Sequence, residues 1–302
     1  MDSKCIPQTR KAGRTLGTPE MPRFVDTEGK SRVSFLACQG NEEALGSQRS
    51  VISFKNRPIL LLFSGKMGKN RQPAAHTSQP STGNLTGQRL MEMFNLMLDH
   101  FGPQNWWPAE TELEMMVGAV LTQNTNWKNV ERAIENLQGR GLLSLDGLRS
   151  CAVTELAQEI RPAGYFNIKA KRLKNLIDFI ADHYHSDLSL FFKDGTQTLR
   201  EGLLSVNGIG PETADSILLY AARRPVFVID AYTHRILSRH GMIEEQTDYY
   251  ELQELFMEHL HEDSVLFGEF HALIVRTGKE YCHKKPLCNR CPLEEWGPSS
   301  PL

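Results

Sequence analysis

Apolar residues recur at helical spacing almost without interruption from Arg89 to Lys279, which leaves little sequence for anything but helices. Short loops that contain Gly or Pro separate the periodic segments, so each segment predicts one helix. The predicted helices lie near 88–101, 110–123, 127–137, 144–150, 153–160, 166–183, 187–191, 197–205, 211–222, 230–239, 247–259 and 263–279. Only Val226 to Ile229 is typical of a strand, and one such segment cannot form a sheet. The sequence therefore predicts an all-α fold.

Residues 1–85 differ from the rest of the chain in pattern and in charge. They lack periodicity and are rich in Gly, Ser, Thr, Gln and Pro, which predicts a disordered, low-complexity extension with one strand-like piece over 51–63. They carry 13 Lys and Arg against 6 Asp and Glu, whereas residues 86–302 carry 21 against 30. We therefore expect a basic extension, a helical domain over 86–280 and a cysteine-rich loop and tail over 281–302. Nucleic-acid contact by the acidic part would need local basic patches and backbone amides.

Two features bear on where the protein works. The most apolar stretch, Ile59 to Phe63, is far shorter than the roughly 18 residues of a membrane span, and the N-terminus lacks the apolar core of a secretion signal. We expect a soluble cytoplasmic protein. Three of the six cysteines crowd the last 21 residues, and in a cytoplasmic protein such a cluster favours a metal over disulfides.

The segment from Leu203 to Asp215, LLSVNGIGPETAD, joins two amphipathic helices through a glycine turn. Gly208 and Gly210 permit a tight turn and let a phosphate approach the bare backbone, while Pro211 suits the first position of the second helix. The amides at that helix N-terminus can bind an anion, and Ile209 would plug the turn into the core. A glycine-rich turn that merely joins two core helices is the alternative interpretation.

An apolar run, Val226 to Ile229, ends in Asp230 directly before a helix. Asp is a strong helix N-cap, so a purely structural role is one interpretation. A carboxylate fixed at the edge of an apolar wall would also lower the energy of a positively charged sugar transition state, as in glycosidic bond cleavage. The two roles can coexist.

Three segments together, VNGIGPETA, the Asp230 to Arg235 spacing and LTQNT around Gln123, resemble the endonuclease III-like helix-hairpin-helix (HhH-GPD) DNA glycosylase superfamily. The resemblance runs from about Met91 to Cys291. It implies a two-lobed helical fold that binds damaged double-stranded DNA between the lobes, as a monomer, and excises a base. Asp230 would be catalytic, Gln123 would support the opened duplex, and the DNA backbone would contact Gly208, Ile209, Gly210 and Thr213. An uncommitted glutamine at a helix end is the alternative for Gln123.

The resemblance also places Glu212 where bifunctional members carry the lysine that forms a Schiff base. A carboxylate cannot form an imine, so this departure predicts a monofunctional glycosylase that uses water. The lysines that could substitute are Lys169, Lys171, Lys174 and Lys279. Two rival functions remain: a bifunctional glycosylase with lyase activity, and a helix-hairpin-helix module that binds DNA without catalysis.

Trp106, Trp107 and Trp127 lie in one short interval close to Gln123. Aromatic rings attract the cationic bases produced by alkylation with about 0.5–2 kcal/mol each, and such bases leave readily in a water mechanism. The order of WWP and QNT resembles the 3-methyladenine glycosylase branch, which implies that the rings hold a flipped alkylated base. Packing of these rings in the core is the alternative.

The C-terminal cysteines follow the pattern Cys282-x5-Cys288-x2-Cys291. Endonuclease III-like proteins hold a [4Fe-4S] cluster with C-x6-C-x2-C-x5-C here, so the first gap is one residue short and the fourth place falls on Gly297. A cluster would need a non-cysteine fourth ligand, the distant Cys151, or an iron without a fourth protein ligand. Zinc with His283, or no metal, are the alternatives. The intervening HKKP and Arg290 predict a basic loop suited to phosphates, or else a solvated face.

Overall fold

The computed structural model describes residues 84–297, and residues 1–83 and 298–302 lie outside the described part. The helices are α1 Leu85–Phe101, α2 Glu112–Leu121, α3 Trp127–Gly139, α4 Leu145–Ser150, α5 Val153–Glu159, α6 Phe166–Tyr184, α7 Leu188–Phe191, α8 Thr196–Ser205, α9 Pro211–Ser216, α10 Ala231–Arg239, α11 Tyr249–His259 and α12 Ser264–Glu280. Short 3-10 turns occupy Arg161–Ala163 and Cys288–Arg290, and a π turn, Ile217–Ala221, continues α9. The all-α prediction is confirmed for this part of the chain.

Most predicted helices agree with the observed ones to within two or three residues, and the exceptions are instructive. The predicted helix 211–222 changes into a π turn at Ile217, where the backbone inserts an extra residue per turn. The predicted strand from Val226 to Ile229 is wrong, because the segment is extended but pairs with no strand in residues 84–297. The predicted extension over 1–85 lies outside the described residues except for its last two. No described helix is long and apolar enough to cross a membrane.

Two hydrophobic cores divide the described residues into two lobes. The first core draws on α2 to α9 and on Val226, and the second draws on α1, α10, α11, α12, the extended segment 227–229 and the C-terminal residues Leu293 and Trp296. Tyr220 on the π turn packs against both cores. The helix that follows the glycine turn therefore leads into the seam between the lobes, where each lobe can contribute to one site.

Polar N-cap residues stand at the start of eight of the helices, and each cap fixes the residue at which its helix begins. In each case the side chain accepts a hydrogen bond from a backbone N–H of the first turn, a contact worth about 1 kcal/mol. The N-caps of this kind are Asn84, Thr111, Asn126, Ser144, Asp187, Asp230, Asp248 and Asp263. Since these caps are local, the starts of the helices could be predicted from the sequence.

A buried ion pair ties the lobes together at α9. Asp215 is completely buried, and its carboxylate accepts hydrogen bonds from Arg200 Nε at 2.7 Å and Nη2 at 3.0 Å. The Tyr249 hydroxyl at 2.7 Å and Gln253 Nε2 at 2.8 Å, both from α11, donate to Oδ2, the oxygen that also accepts from Arg200 Nη2. A charge removed from water needs such full pairing, so every donor here is essential to the arrangement.

Asp215→Asn should therefore cost about 3 kcal/mol in the free energy of unfolding, because it leaves the Arg200 guanidinium largely buried without a counter-charge. Urea unfolding of the variant measures this loss. The matched control is Asp182→Asn, which breaks the exposed pair with Arg149 at 2.9 Å and should cost less than about 1 kcal/mol. Equal losses for the two variants would contradict the interpretation.

Candidate active site

The glycine turn has one position at which only glycine fits. Gly208 has φ +98°, and a Cβ there would lie 2.3 Å from Cγ of Arg172 on α6. Ile209 is 5% exposed and packs into the first core, as the sequence predicts. The turn therefore depends on the left-handed backbone of Gly208, on the close approach of Arg172 and on the burial of Ile209.

Gly210 is different, since nothing in the protein requires glycine there. Its backbone has φ −93° and ψ 178°, and a Cβ would meet no atom within 4 Å. It is the N-cap of α9, and no side chain caps the amides of the first turn. Uncapped amides beside open space can bind an anion that approaches the backbone closely.

Gln123, at the end of α2, binds the glycine turn. Its Nε2 donates to the Gly208 carbonyl at 3.2 Å and to the Thr213 hydroxyl at 2.9 Å, and its Oε1 accepts from Arg172 Nη1. Thr213 is 7% exposed, so its hydroxyl is turned inward to Gln123 and is not available to a partner outside the protein. The structure brings these residues together as a brace for the turn, and their predicted contacts with DNA stay predictions.

Asp230 is the N-cap of α10 and is 7% exposed. Its Oδ1 accepts hydrogen bonds from Tyr232 N at 2.9 Å, Thr233 N at 2.8 Å and the Thr233 hydroxyl at 2.9 Å. Burial alone would raise the pKa of this carboxyl, but contacts with His271 and Thr233 outweigh it and hold the pKa below its ordinary value. The carboxylate is therefore buried and ionised, which is the state that both sequence interpretations need.

His271 on α12 and Tyr220 were missed by the sequence reasoning. His271 Nε2 lies 3.7 Å from Asp230 Oδ2, and its Nδ1 lies 2.7 Å from the Tyr220 hydroxyl. The one sequence signal was a single polar residue within the apolar run FHALI of a buried helix. Such a residue is usually a core histidine whose hydrogen bonds are satisfied by nearby groups. The sequence cannot name its neighbours, because they depend on how α12 packs against α10.

The predicted tryptophans form one aromatic cluster. The ring centroids of Trp106 and Trp107 lie 5.4 Å apart, and those of Trp127 lie 5.0 and 5.2 Å from them. Trp107 also lies 5.3 Å from Tyr220. Trp107 and Trp127 are partly buried against the first core, so these side chains contribute to packing, and their role in base recognition stays a prediction.

A groove of about 370 Å³ opens beside this cluster. Trp106, Trp107, Tyr220 and the acidic Glu269 line it, whereas Trp127 packs behind the other rings. Glu269 accepts hydrogen bonds from the amides of Gln104 and Asn105, which fixes the loop that carries the tryptophans. Glu110, Glu112 and the basic Arg223 also line the groove, so its charged lining consists of three acidic side chains and one basic side chain. An aromatic and mostly acidic lining favours a flat cationic ligand.

Comparison with known proteins identifies the family. The sequence profile of the HhH-GPD superfamily base excision DNA repair proteins matches residues 117–262. A protein of Methanocaldococcus jannaschii that is named as a DNA repair glycosylase is 49% identical over 210 residues, which are 69% of this chain and 96% of that protein. The chain belongs to the HhH-GPD superfamily of base excision DNA repair glycosylases.

Solved structures of the HhH-GPD superfamily share the fold. The Helicobacter pylori 3-methyladenine DNA glycosylase bound to 1,N6-ethenoadenine is 31% identical, with a TM-score of 0.57 over 65% of this chain and 97% of that chain. A trapped endonuclease III–DNA covalent intermediate is 20% identical, with a TM-score of 0.61 over 70% of this chain and 95% of that chain. The second likeness concerns the fold alone.

In this HhH-GPD chain, Glu212 stands at the second position of α9, in the place where the resemblance to bifunctional glycosylases implies a lysine. The residue is exposed to solvent, yet the protein walls around it and the charge of Asp230 raise its pKa to about 8. Of the lysines that could substitute, Lys169 is 1% exposed and donates to the carbonyls of Leu121 and Ala163, both at 2.8 Å. That lysine is committed to the core of the first lobe.

The contacts and positions of the other three lysines also give no indication that one of them is the nucleophile. Lys174 donates to the carbonyls of Leu148 and Arg149, at the end of α4. Lys171 and Lys279 are exposed on the surfaces of α6 and α12. No contact in the described residues directs any of these amines to Asp230.

The cysteines of this HhH-GPD chain do not fit a four-thiolate cluster. Cys282, Cys288 and Cys291 are free thiols, and no group of three or more His, Cys, Asp or Glu among residues 84–297 stands close enough to hold a metal. Arg239 Nη1 donates to Cys282 Sγ at 3.1 Å. Cys151 belongs to the other core, so it cannot be the fourth ligand. The [4Fe-4S] cluster that the spacing predicts stays a prediction.

Gly210→Ala should leave the melting temperature of the protein near that of the wild type, since the added methyl meets no atom. It should weaken binding of a duplex with a tetrahydrofuran abasic site about tenfold, because one charge-assisted hydrogen bond to phosphate is worth about 1.5–3 kcal/mol. Fluorescence anisotropy measures the Kd. Gly139→Ala, an exposed glycine with equal space at the end of α3, is the control and should bind like the wild type. Unchanged binding by Gly210→Ala would refute the close approach of a phosphate.

Proposed function

We propose that the protein is a monofunctional DNA glycosylase in which Asp230 promotes hydrolysis of the bond between a damaged base and its deoxyribose. The observation that carries this proposal is the buried Asp230 carboxylate, which three hydrogen bonds hold at the start of α10 and whose charge acts on Glu212 at the start of α9. DNA contacts would come from the backbone of Gly208, Ile209, Gly210 and Thr213, and Gln123 would support the opened duplex through the turn that it braces.

The chemistry follows from the two carboxyls at this seam. As the glycosidic bond breaks, its electron pair leaves with the base and the sugar becomes cationic, so the Asp230 charge stabilises the transition state. Water then forms the new bond to the sugar carbon and releases a proton to solvent or to the carboxylate. Glu212 has no amine and cannot form an imine in either protonation state, which leaves water as the nucleophile.

For the substrate we propose an alkylated purine. The groove lined by Trp106 and Trp107 can stack a flat base, and Glu269 adds a negative wall that favours a cationic one. The H. pylori enzyme, which is named for 3-methyladenine and holds 1,N6-ethenoadenine, supports the same class of base. Trp127 would act behind these rings by fixing their position.

No step of this reaction depends on a metal. If the predicted [4Fe-4S] centre is assembled, Cys282, Cys288 and Cys291 would be three of its ligands, and the fourth would come from outside the cysteines of the described residues. Such a centre would hold the C-terminal loop rather than react. Iron and sulfide content of the purified protein decide whether it is present.

Asp230→Asn should lower the single-turnover rate of base release at least about 100-fold, since it removes the charge that stabilises the transition state. Asn is as good an N-cap as Asp, so the fold and the Kd for DNA should change little. The rate is measured as base released from a duplex with 1,N6-ethenoadenine and from DNA methylated with dimethyl sulfate. Unchanged release by this variant would overturn the role of Asp230.

Borohydride reduction during turnover should trap no covalent protein–DNA adduct in the wild type, because Glu212 replaces the lysine. Glu212→Lys restores an amine at that position and provides the positive control for trapping. An adduct in the wild type would favour the bifunctional rival. DNA binding without release of any alkylated, oxidised or deaminated base would favour the non-catalytic module.

Binding of the tetrahydrofuran duplex should weaken about threefold as the pH rises from 7 to 9. Glu212 loses its proton near pH 8 and then repels phosphate, although exposure and salt keep the effect small. Glu212→Gln cannot ionise, so its Kd should stay flatter over the same range. Equal weakening in both proteins would assign the effect to another group.

A further inference from the structure

The second carboxylate oxygen of Asp230 faces a buried histidine that the proposed reaction does not use. Oδ2 lies 3.7 Å from His271 Nε2, while Oδ1 is fully engaged by α10. The two side chains are 10% and 8% exposed, and Nε2 is buried with no hydrogen-bond partner in the described residues. Leaving a buried polar atom unpartnered costs free energy, so its orientation toward the carboxylate requires a physical account.

Tyr220 fixes the other side of the imidazole. Its hydroxyl lies 2.7 Å from His271 Nδ1 and 3.2 Å from the Gly268 carbonyl oxygen. Burial and the charges of Asp230 and Glu269 raise the pKa of Tyr220 well above its ordinary value, so the hydroxyl keeps its one proton. The Gly268 carbonyl oxygen and His271 Nδ1 both compete for that proton, and the shorter distance favours donation to Nδ1. When Nδ1 accepts, the proton of the neutral ring is on Nε2 and points at Asp230.

The remaining gap is small. A 3.7 Å separation exceeds the 2.7–3.2 Å range of an N–H···O bond, and a movement of under about 1 Å would close it. Catalytic hydrogen bonds are often long in the free enzyme and shorten in the loaded complex. Tyr220 also lines the groove and packs on Trp107, so a base that enters the groove contacts the side chain that holds His271.

We propose that His271 is a positioning residue for Asp230, whose Nε2–H closes on Oδ2 when a nucleotide is extruded and so keeps the carboxylate ionised and aimed at the sugar. Tyr220 holds the ring for that contact and couples it to the groove. The inference rests on the proposed glycosylase reaction, in which Asp230 carries the charge.

The titratable groups around this contact come from three directions. Glu212 faces it from α9, Tyr220 from the π turn, and Glu269 lies on α12 near His271 itself. The buried side chains of α1, which also packs on α12, are apolar. His271 and Thr233 are the neighbours that lower the pKa of Asp230, and only His271 can be removed without losing a bond to Oδ1.

The test uses the full chain and two duplexes that replace one nucleotide with a cationic pyrrolidine or a neutral tetrahydrofuran. The ratio of the two Kd values measures how strongly the site favours a positive sugar, whichever base the enzyme removes. The wild type should prefer the pyrrolidine and lose that preference at acid pH, as Asp230 takes up a proton. Asp230→Asn should show no preference at any pH. A wild type without preference would overturn the glycosylase reaction and this inference together.

The pH of half-loss is the pH at which half of the preference for the pyrrolidine duplex is gone. His271→Ala should raise it by about one unit or more, because Asp230 loses a neighbour that favours its charged form. His271→Gln can place an amide N–H near the position of Nε2, so it should stay closer to the wild type. Tyr220→Phe keeps the ring on Trp107 and removes only the hydroxyl, so it should shift the loss in the same direction by less. It also keeps the test possible if His271→Ala does not fold.

The matched control is Tyr249→Phe, which removes a buried hydroxyl that donates to Asp215 instead of reaching the site. It should lower the melting temperature and leave the pH of half-loss unchanged. The same pH of half-loss in the wild type, His271→Ala and Tyr220→Phe would overturn the inference and leave Asp230 in its role. A shift in Tyr249→Phe as large as that in Tyr220→Phe would show general destabilisation and also overturn it.

Discussion

The N-terminus of α10 holds one oxygen of the Asp230 carboxylate, and the rest of the candidate site is arranged around the other. Two backbone amides and the Thr233 hydroxyl donate to Oδ1, which offsets much of the cost of burying a charge. Because these donors belong to the first turn of the helix that Asp230 begins, the cap and the charge are one arrangement. A carboxylate that is already satisfied on one side can be left open on the other, toward His271.

The place of this carboxylate depends on the extended segment that precedes it. Phe227, Val228 and Ile229 are completely buried in the second core, and no strand supplies their hydrogen bonds in the described residues. Instead, Gln253 on α11 donates to the Phe227 carbonyl at 2.7 Å and to Asp215 at 2.8 Å. One amide thus links the ion pair of α9 to the segment that delivers Asp230, and rigid elements of this kind set the geometry of a site.

The other wall of the seam comes from the first lobe. Gln123 and Arg172 brace the glycine turn, and α9 carries the chain from that turn to Tyr220 through a π turn. π turns are frequent at functional sites because they rotate the side chains that follow. Here the rotation accompanies a Tyr220 side chain that touches both cores, the aromatic groove and His271.

Several parts of this description could be predicted from the sequence because their physical causes are local. Apolar spacing located the helices, and polar caps and glycines marked their ends. The glycine turn and Asp230 were found because each stands inside a contiguous motif whose chemistry depends on its immediate neighbours. The predicted strand at Val226 to Ile229 failed for the complementary reason, since a buried apolar run can be satisfied by side chains as well as by another strand.

The sequence by itself therefore determined an all-helical chain, the turn around Gly208 and the carboxylate at Asp230, since turns, caps and periodicity act over a few residues. The tertiary structure alone decided that His271 faces Asp230, that Asp215 joins the lobes, and that Trp107 rather than Trp127 borders the groove. These outcomes depend on which helix faces meet when two cores are buried, and no local pattern records that pairing.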